Sequence, residues 1–382
     1  MRTAVGLSQE NGSVDAYARA AAEAAEALGG SCDLALLFAS DANLAHAEAG
    51  LAAVADELAP LHLIGCAAGG VIGHGREIED GPAVVIWALS APDAVISSHP
   101  IDAEHVGNGF DLSGVPEVDE PAEAMFVLAD PYTFPAETLL ERLNEERPHV
   151  PIIGGLASAS SPGGSIFCDG SPRAGGAVMA TVSGIDVLPC VSQGAEPVGP
   201  EMTITACEGN VITELASAPA LERLQEAVMQ LDERERELAA SGLLLGIVID
   251  ENKPEYERGD FLVRPVVGAD ESTGAIATGE RVRVGQTVRI QVRDPARADE
   301  DLRDALRIHS ATVGSDGAAG VLIFTCNGRG RNMFGVPDHD AGTVNDALGA
   351  PSAGFFCAGE IGPVGGRNFL HGFTATMAIF PA

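Results

Sequence analysis

One arrangement of apolar runs occurs three times along this chain, and it limits the fold more than any other feature. In the first pass, CDLALLFAS (32–40) reads as a buried strand and AHAEAGLAAVADELA (45–59) has helical spacing. HLIGCAAGGVIG (62–73) is a strand running into a glycine turn, and PAVVIWALS (82–90) is a further strand. The second pass is AMFVLAD (124–130), PAETLLERLNEERP (135–148), HVPIIGGLASAS (149–160) and GGAVMATVSG (175–184). The third is AGVLIFTC (319–326), DHDAGTVNDALG (338–349), APSAGFFCAGEIG (350–362) and HGFTATMAIF (371–380). Short apolar runs bounded by Gly and Pro favour strands over buried helix. Strand, helix and returning strand predict a right-handed parallel crossover, and the last two strands of each unit are expected to pair as a hairpin. Each middle strand ends in a glycine patch: Gly65, Gly69 and Gly70, then Gly154 and Gly155, then Gly354, Gly359 and Gly362. The expected fold is α/β or α+β, with mixed β-sheets built from repeated β-α-β-β units in two related halves.

A different stretch separates the second and third passes. MTITACEGNVITEL (202–215) reads as two short strands or a strand with a turn, and ALERLQEAVMQLDERERELAA (220–240) as a helix with a dense charged face. A β-rich series follows (243–250, 261–270, 274–282, 286–295), then helix again at 299–311. The charged helix marks the expected division into parts 1–215 and 216–382.

Composition narrows the function. Net charge is −33, from 55 acidic and 22 basic residues. So acidic a surface repels phosphate backbones and anionic lipid, which argues against nucleic-acid and membrane partners. The N-terminus shows no signal-peptide core, and no apolar run reaches the ~20 residues of a spanning helix. Seven cysteines without a CxxC pair fit reduced thiols. A cytoplasmic protein is expected.

The segment Cys326-Asn327-Gly328-Arg329-Gly330-Arg331-Asn332 directly follows a strand, where α/β sheets place their binding sites. Its glycines permit close backbone approach, and its two arginines offer forks for a carboxylate. The competing reading pairs those arginines with Asp338 and Asp340. In Cys357-Ala358-Gly359-Glu360-Ile361-Gly362, an acid in an apolar strand needs a partner, either a ligand's ammonium or Arg329. Asn368 and His371 are expected to edge the same cleft. Cys326 and Cys357 with His371 and Glu360 could mimic a thiol nucleophile and base, but cysteines in apolar strands usually only pack. No HExxH, HxH or zinc-type Cys/His spacing occurs, so no metal is expected. Arg293-Asp294 reads as architecture, and Arg264 and Asp270 as an ion-pair lattice or ligand contacts.

Several of these stretches resemble one known family. IGCAAGGVIGHGREIEDGPAVVIWAL is similar to the N-terminal part of the FIST family. FLVRPVVGADESTGAIATGERVRVGQTVRIQVRDP, CNGRGRNMFG and GFFCAGEIGPVGGRNFLHGFTATMAIF resemble its C-terminal part. The resemblance implies a sensory module that works with signal-transducing partners in prokaryotes, or an F-box in eukaryotes, and binds small ligands such as amino acids. Some bacterial members bind haem and report nitric oxide. No kinase, cyclase, receiver or F-box segment is present, so output is expected through a separate signalling protein. The expected function is non-enzymatic sensing of an amino acid or similar zwitterion. Arg329 would take the carboxylate and Glu360 the ammonium, within a site that includes Cys326, Asn327, Arg331, Asn368 and His371. Two alternatives stay open. One is a haem sensor ligated by His74 or His371; the other is a protein-binding scaffold without a small ligand.

Overall fold

The three apolar passes become three modules of one plan. In a computed structural model, residues 1–107, 109–160, 165–240 and 242–382 are described. They group into two units. Unit 1 comprises Met1–Val191, Leu302–Leu370 and Thr374–Ala382, and unit 2 comprises Ser192–Asp301 and His371–Phe373.

Module 1 of unit 1 runs β1 (Arg2–Ser8), α1 (Val14–Leu28), β2 (Leu34–Ser40), α2 (Asp41–Leu44), α3 (Ala47–Leu58), β3 (His62–Ala68), β4 (Val71–Gly73), β5 (Arg76–Ile78) and β6 (Val84–Ser90). Helix α1 starts at Ser13, whose hydroxyl accepts from the Ala16 N–H, and stops at Gly29 in the left-handed region. Its alanine-rich face packs on β2 and β6 together with α3. Gly50 of α3 leaves the room that the Tyr17 ring fills. Module 2 runs β7 (Val95–Val106), β8 (Gly109–Ser113), β9 (Ala124–Ala129), α4 (Ala136–Glu146), β10 (Ile152–Leu156), β11 (Ile166–Cys168), β12 (Ser171–Arg173) and β13 (Ala177–Ser183). The chain then enters β14 (Leu188–Gln193).

Unit 2 contains β15 (Ala195–Glu208), β16 (Val211–Leu215), β17 (Ala218–Pro219), α5 (Ala220–Gln230), α6 (Glu233–Ala240), β18 (Leu244–Val248), β19 (Phe261–Asp270), β20 (Ala275–Thr278) and β21 (Thr287–Arg293). Its strands run β15-β21-β18-β19-β20-β16, and β16 pairs back onto β15. Every pairing is antiparallel, so six strands close a barrel. The two long strands each serve two neighbours by bending at register shifts, β15 near Val198–Glu201 and β19 near Val266–Gly268. Leu224 and Ala227 of α5 join the barrel core. The charged helix expected over 220–240 is thus two helices, broken at Leu231 and Asp232.

Helix α7 (Pro295–Val313) leads on to β22 (Ala318–Cys326), α8 (Arg331–Phe334), α9 (His339–Leu348), β23 (Ser352–Cys357), β24 (Glu360–Val364), β25 (Arg367–His371) and β26 (Thr374–Pro381), which form module 3. The expected crossover appears in all three modules: β2 and β3, β9 and β10, and β22 and β23 are parallel neighbours. The expected hairpin of the last two strands does not. Each last strand instead lies antiparallel on the first strand, β6 on β2, β13 on β9 and β26 on β22. The reason is that the free edge of every middle strand is taken by a hairpin from another module. The β4–β5 hairpin of module 1 docks on β23, β11–β12 of module 2 on β3, and β24–β25 of module 3 on β10. The exchange is cyclic: one to three, three to two, two to one.

Three glycines hold the same place in this plan. Gly65, Gly154 and Gly354 lie opposite Leu37, Val127 and Ile323 in the parallel registers. A Cβ at any of them would overlap the carbonyl oxygen of that partner. The modules share one core, in which Phe38 stacks on Phe355 with ring centres 4.9 Å apart and Trp87 packs tilted against Phe380 at 4.7 Å. Among the described residues, no helix is long and apolar enough to cross a membrane.

Candidate functional site

The C-terminal ends of β3, β10 and β22 carry the polar chemistry of unit 1. A cavity of about 460 Å³ opens there, lined by Gly69, Gly70, Ser158, Asn327, Asn332 and Phe356, and by the charged Glu79, Asp80 and Arg331. Each module contributes to its wall. Backbone order comes from the seams: the Gly69 N–H donates to the Ser158 hydroxyl at 2.9 Å, and that hydroxyl donates to the Phe356 carbonyl. The Phe356 N–H donates to the Gly70 carbonyl at 3.0 Å. Glu79 follows β5 and reaches the turn before α8. Its carboxylate accepts the Arg331 N–H at 3.1 Å and lies 3.3 Å from Arg331 Nε. Gly330, at φ 66°, has no Cβ to block that approach. The Arg331 side chain is half exposed, and its hydrogen bonds among the described residues run from the backbone N–H and Nε to Glu79.

Behind the cavity lies a buried ionic network. Arg329 is 1% exposed, and its Nε and Nη2 donate to both oxygens of Asp340 at 2.7 and 2.8 Å. Thr325 and His339 also contact that carboxylate. Burial alone would raise the Asp340 carboxyl, but the guanidinium overrides it and holds the group well below the usual range. Glu77 of β5 caps α9: its Oε1 accepts the N–H groups of Asp340 and Ala341 at 2.8 and 3.0 Å. Burial, with Asp340 nearby, pushes Glu77 up to about 7. Glu360 is wholly buried, and its Oε2 accepts from the backbone and hydroxyl of Thr374 at 3.1 and 2.9 Å. Burial pushes its carboxyl up to about 8. In the cyclic plan, Val71, Ile166 and Glu360 are equivalent: they open β4, β11 and β24 opposite Phe355, Cys66 and Gly155. A carboxyl group therefore stands where the other modules put an aliphatic side chain.

The sequence-derived site residues separate accordingly. Asn327 and Arg331 line the cavity. Arg329 does not: it is consumed by Asp340, as the competing reading had it. Glu360 and Arg329 are close enough to interact electrostatically, but they are buried together and do not converge on the open cavity. Cys326 is partly exposed beside Asn327, and Cys357 is buried in β23. Asn368 is structural. Its Oδ1 accepts the Ile152 N–H at 2.8 Å and its Nδ2 donates to the Val150 carbonyl, tying β25 to module 2. His371 is buried and falls in unit 2. His74 stands on an exposed turn with Nε2 3.2 Å from Glu23. In unit 2, Arg264 pairs with Glu280 at 2.7 Å and Arg234 with Asp294 at 2.5 Å, while Arg293 lies over the Phe373 ring. Glu77, Glu79, Asp80 and Ser158 were not singled out by sequence. The first three lie inside the quoted GREIEDG stretch, where an acid alternating with apolar residues was the available signal.

Comparison with known proteins covers nearly the same ground. A model of the FIST N domain matches residues 33–217, and one of the FIST C domain matches residues 220–363. The junction between these matches lies inside unit 2, whereas the units themselves divide at 191/192 and 301/302. An uncharacterized protein of Mycobacterium tuberculosis is 44% identical over 385 residues, covering 100% of both chains. Another, from Mycobacterium bovis, is 43% identical, covering 100% of this chain and 99% of its own.

Proposed function

Since this chain belongs to the FIST family through both of its domains, and FIST domains are associated with sensory signal transduction, we propose that it is a non-enzymatic sensor of an amino acid or similar zwitterion. The observation that carries the reading is the cavity holding Arg331 opposite Glu79 and Asp80 at the strand ends. Arg331 spends Nε on Glu79 and presents its two Nη groups to a carboxylate. Asp80, with the outer side of Glu79, suits an ammonium, and Asn327 and Asn332 suit a polar side chain. The roles first assigned to Arg329 and Glu360 pass to Arg331 and the Glu79–Asp80 pair. Every module lines the cavity, so a ligand there would bear on all three seams. Output passes to a separate signalling protein in the cytoplasm. The test is a thermal-shift and calorimetric screen against amino acids, since a ligand held only by the folded state raises Tm. Arg331→Ala is expected to lower affinity at least about tenfold with the fold intact. A panel that leaves Tm unmoved, or an Arg331→Ala protein that binds as tightly, overturns the reading.

A further inference from the structure

We propose that Cys326 is a reactive thiol that exchanges with small-molecule disulfides, with Glu360 receiving its proton. The proposal does not depend on the cavity's ligand. Of the seven cysteines, none of them in a disulfide, five are buried and Cys207 and Cys326 are partly exposed. Cys207, in unit 2, has a backbone carbonyl for company, that of Val282 at 3.6 Å. Cys326 has a different setting at the end of β22. Its thiol lies within interaction reach of the Glu360 carboxyl, and its sulfur accepts the Gly328 N–H at 3.4 Å. Arg329 acts electrostatically on both Cys326 and Glu360.

Among the described residues, two buried atoms in this group have no hydrogen-bond partner: Glu360 Oε1 and Arg329 Nη1. Both residues are at most 1% exposed, where an idle polar atom is costly. Oε2 of Glu360 is held by Thr374, so Oε1 is left with a lone pair to use. A cysteine that merely packs has no need of a carboxyl group at a position that Val71 and Ile166 fill with hydrocarbon. A neighbouring carboxyl and guanidinium are what a thiol needs to lose its proton and keep the resulting charge.

The exchange balances as follows. With Glu360 ionised, above about pH 8, the Cys326 S–H bond breaks and its proton passes to the Glu360 carboxylate. The sulfur electron pair attacks one sulfur of a disulfide RSSR, the S–S bond breaks, and RS⁻ departs with its electron pair and takes that proton from Glu360, which is a carboxylate again. The products are the mixed disulfide on Cys326 and RSH. The charged and titratable groups facing Glu360 are Cys326 at the end of β22, Arg329 after it and Cys357 of β23, and the facing residue of β26, Thr374, is neutral.

The experiment uses the full chain and oxidised glutathione, with acid quenching and mass mapping of the Cys326 and Cys207 peptides. Above about pH 8, Cys326 should form its mixed disulfide at least about tenfold faster than Cys207. Glu360→Gln should bring Cys326 down to the rate of Cys207 and leave Cys207 unchanged. Equal rates in the natural protein, or an undiminished Cys326 rate in a folded Glu360→Gln variant, overturn the proposal. Should that variant fail to fold, the natural protein still decides. A Cys326-to-Cys207 rate ratio that climbs as pH passes about 8, where Glu360 ionises, supports the assignment, and a flat ratio overturns it.

Discussion

Two arginines one residue apart look alike in sequence and do opposite work. Arg329 is locked bidentate onto Asp340 in the interior, and Arg331 is half exposed at a cavity rim. Removing one partner of a buried ion pair leaves the other charge without water or counterion, so Arg329→Ala should destabilise unit 1 by about 3–5 kcal/mol. Arg331→Ala, which breaks only an exposed pair, should cost no more than about 1 kcal/mol. Denaturant melts of the two variants check this; equal losses would mean the burial difference is wrong. The sequence marked CNGRGRN as chemically rich, and the cavity does sit there. It left open which arginine was buried, because Asp340 reaches Arg329 only through the folding of α9 back over β22. The acids that share the cavity with Arg331 arrive from residues 79 and 80, and no local pattern announces a partner some 250 positions away.

At the scale of elements, periodicity revealed each strand–helix–strand crossover, because apolar alternation and helical spacing are local. Pairing partners are not local. A last strand can add beside the first or beside the middle strand with the same burial, and the hairpins that occupy the middle edges come from distant sequence. The glycine patches were legible too, but as walls of a site. In Gly65, Gly154 and Gly354 the reason is instead the close approach of a neighbouring strand carbonyl. Gly354→Ala should therefore cost at least about 1–3 kcal/mol, since backbone rather than a movable side chain stands in the way. Gly342 of α9 provides the contrast. A Cβ there meets nothing within 4 Å, so Gly342→Ala should stabilise by about 0.5–1 kcal/mol. Chemical denaturation of both variants tests the pair, and a loss at Gly342 or a gain at Gly354 would refute the packing argument.

At the scale of unit 1, the cyclic exchange makes each module's sheet incomplete without another module, and buried acids sit at the joints. Glu77 joins the module 1 hairpin to the helix of module 3, and Glu360 opens the hairpin that module 3 lends to module 2. Their folded pKa values, about 7 and about 8, lie above the ordinary value of 4.5. Between that ordinary value and the folded ones, the native state holds more protons than the unfolded chain, so stability falls as pH rises through this window. Asp340 acts the other way: its pairing with Arg329 stabilises above the usual carboxylate range and is lost only in stronger acid. Stability should thus peak in mild acid and decline from about pH 5.5 to about pH 8.5, which melting temperatures across that range will show. The assignment rests on substitution. Glu77→Gln and Glu360→Gln should each flatten the decline, because an amide has no proton to surrender. A slope unchanged in both variants would mean that neither acid keeps its proton at the joints.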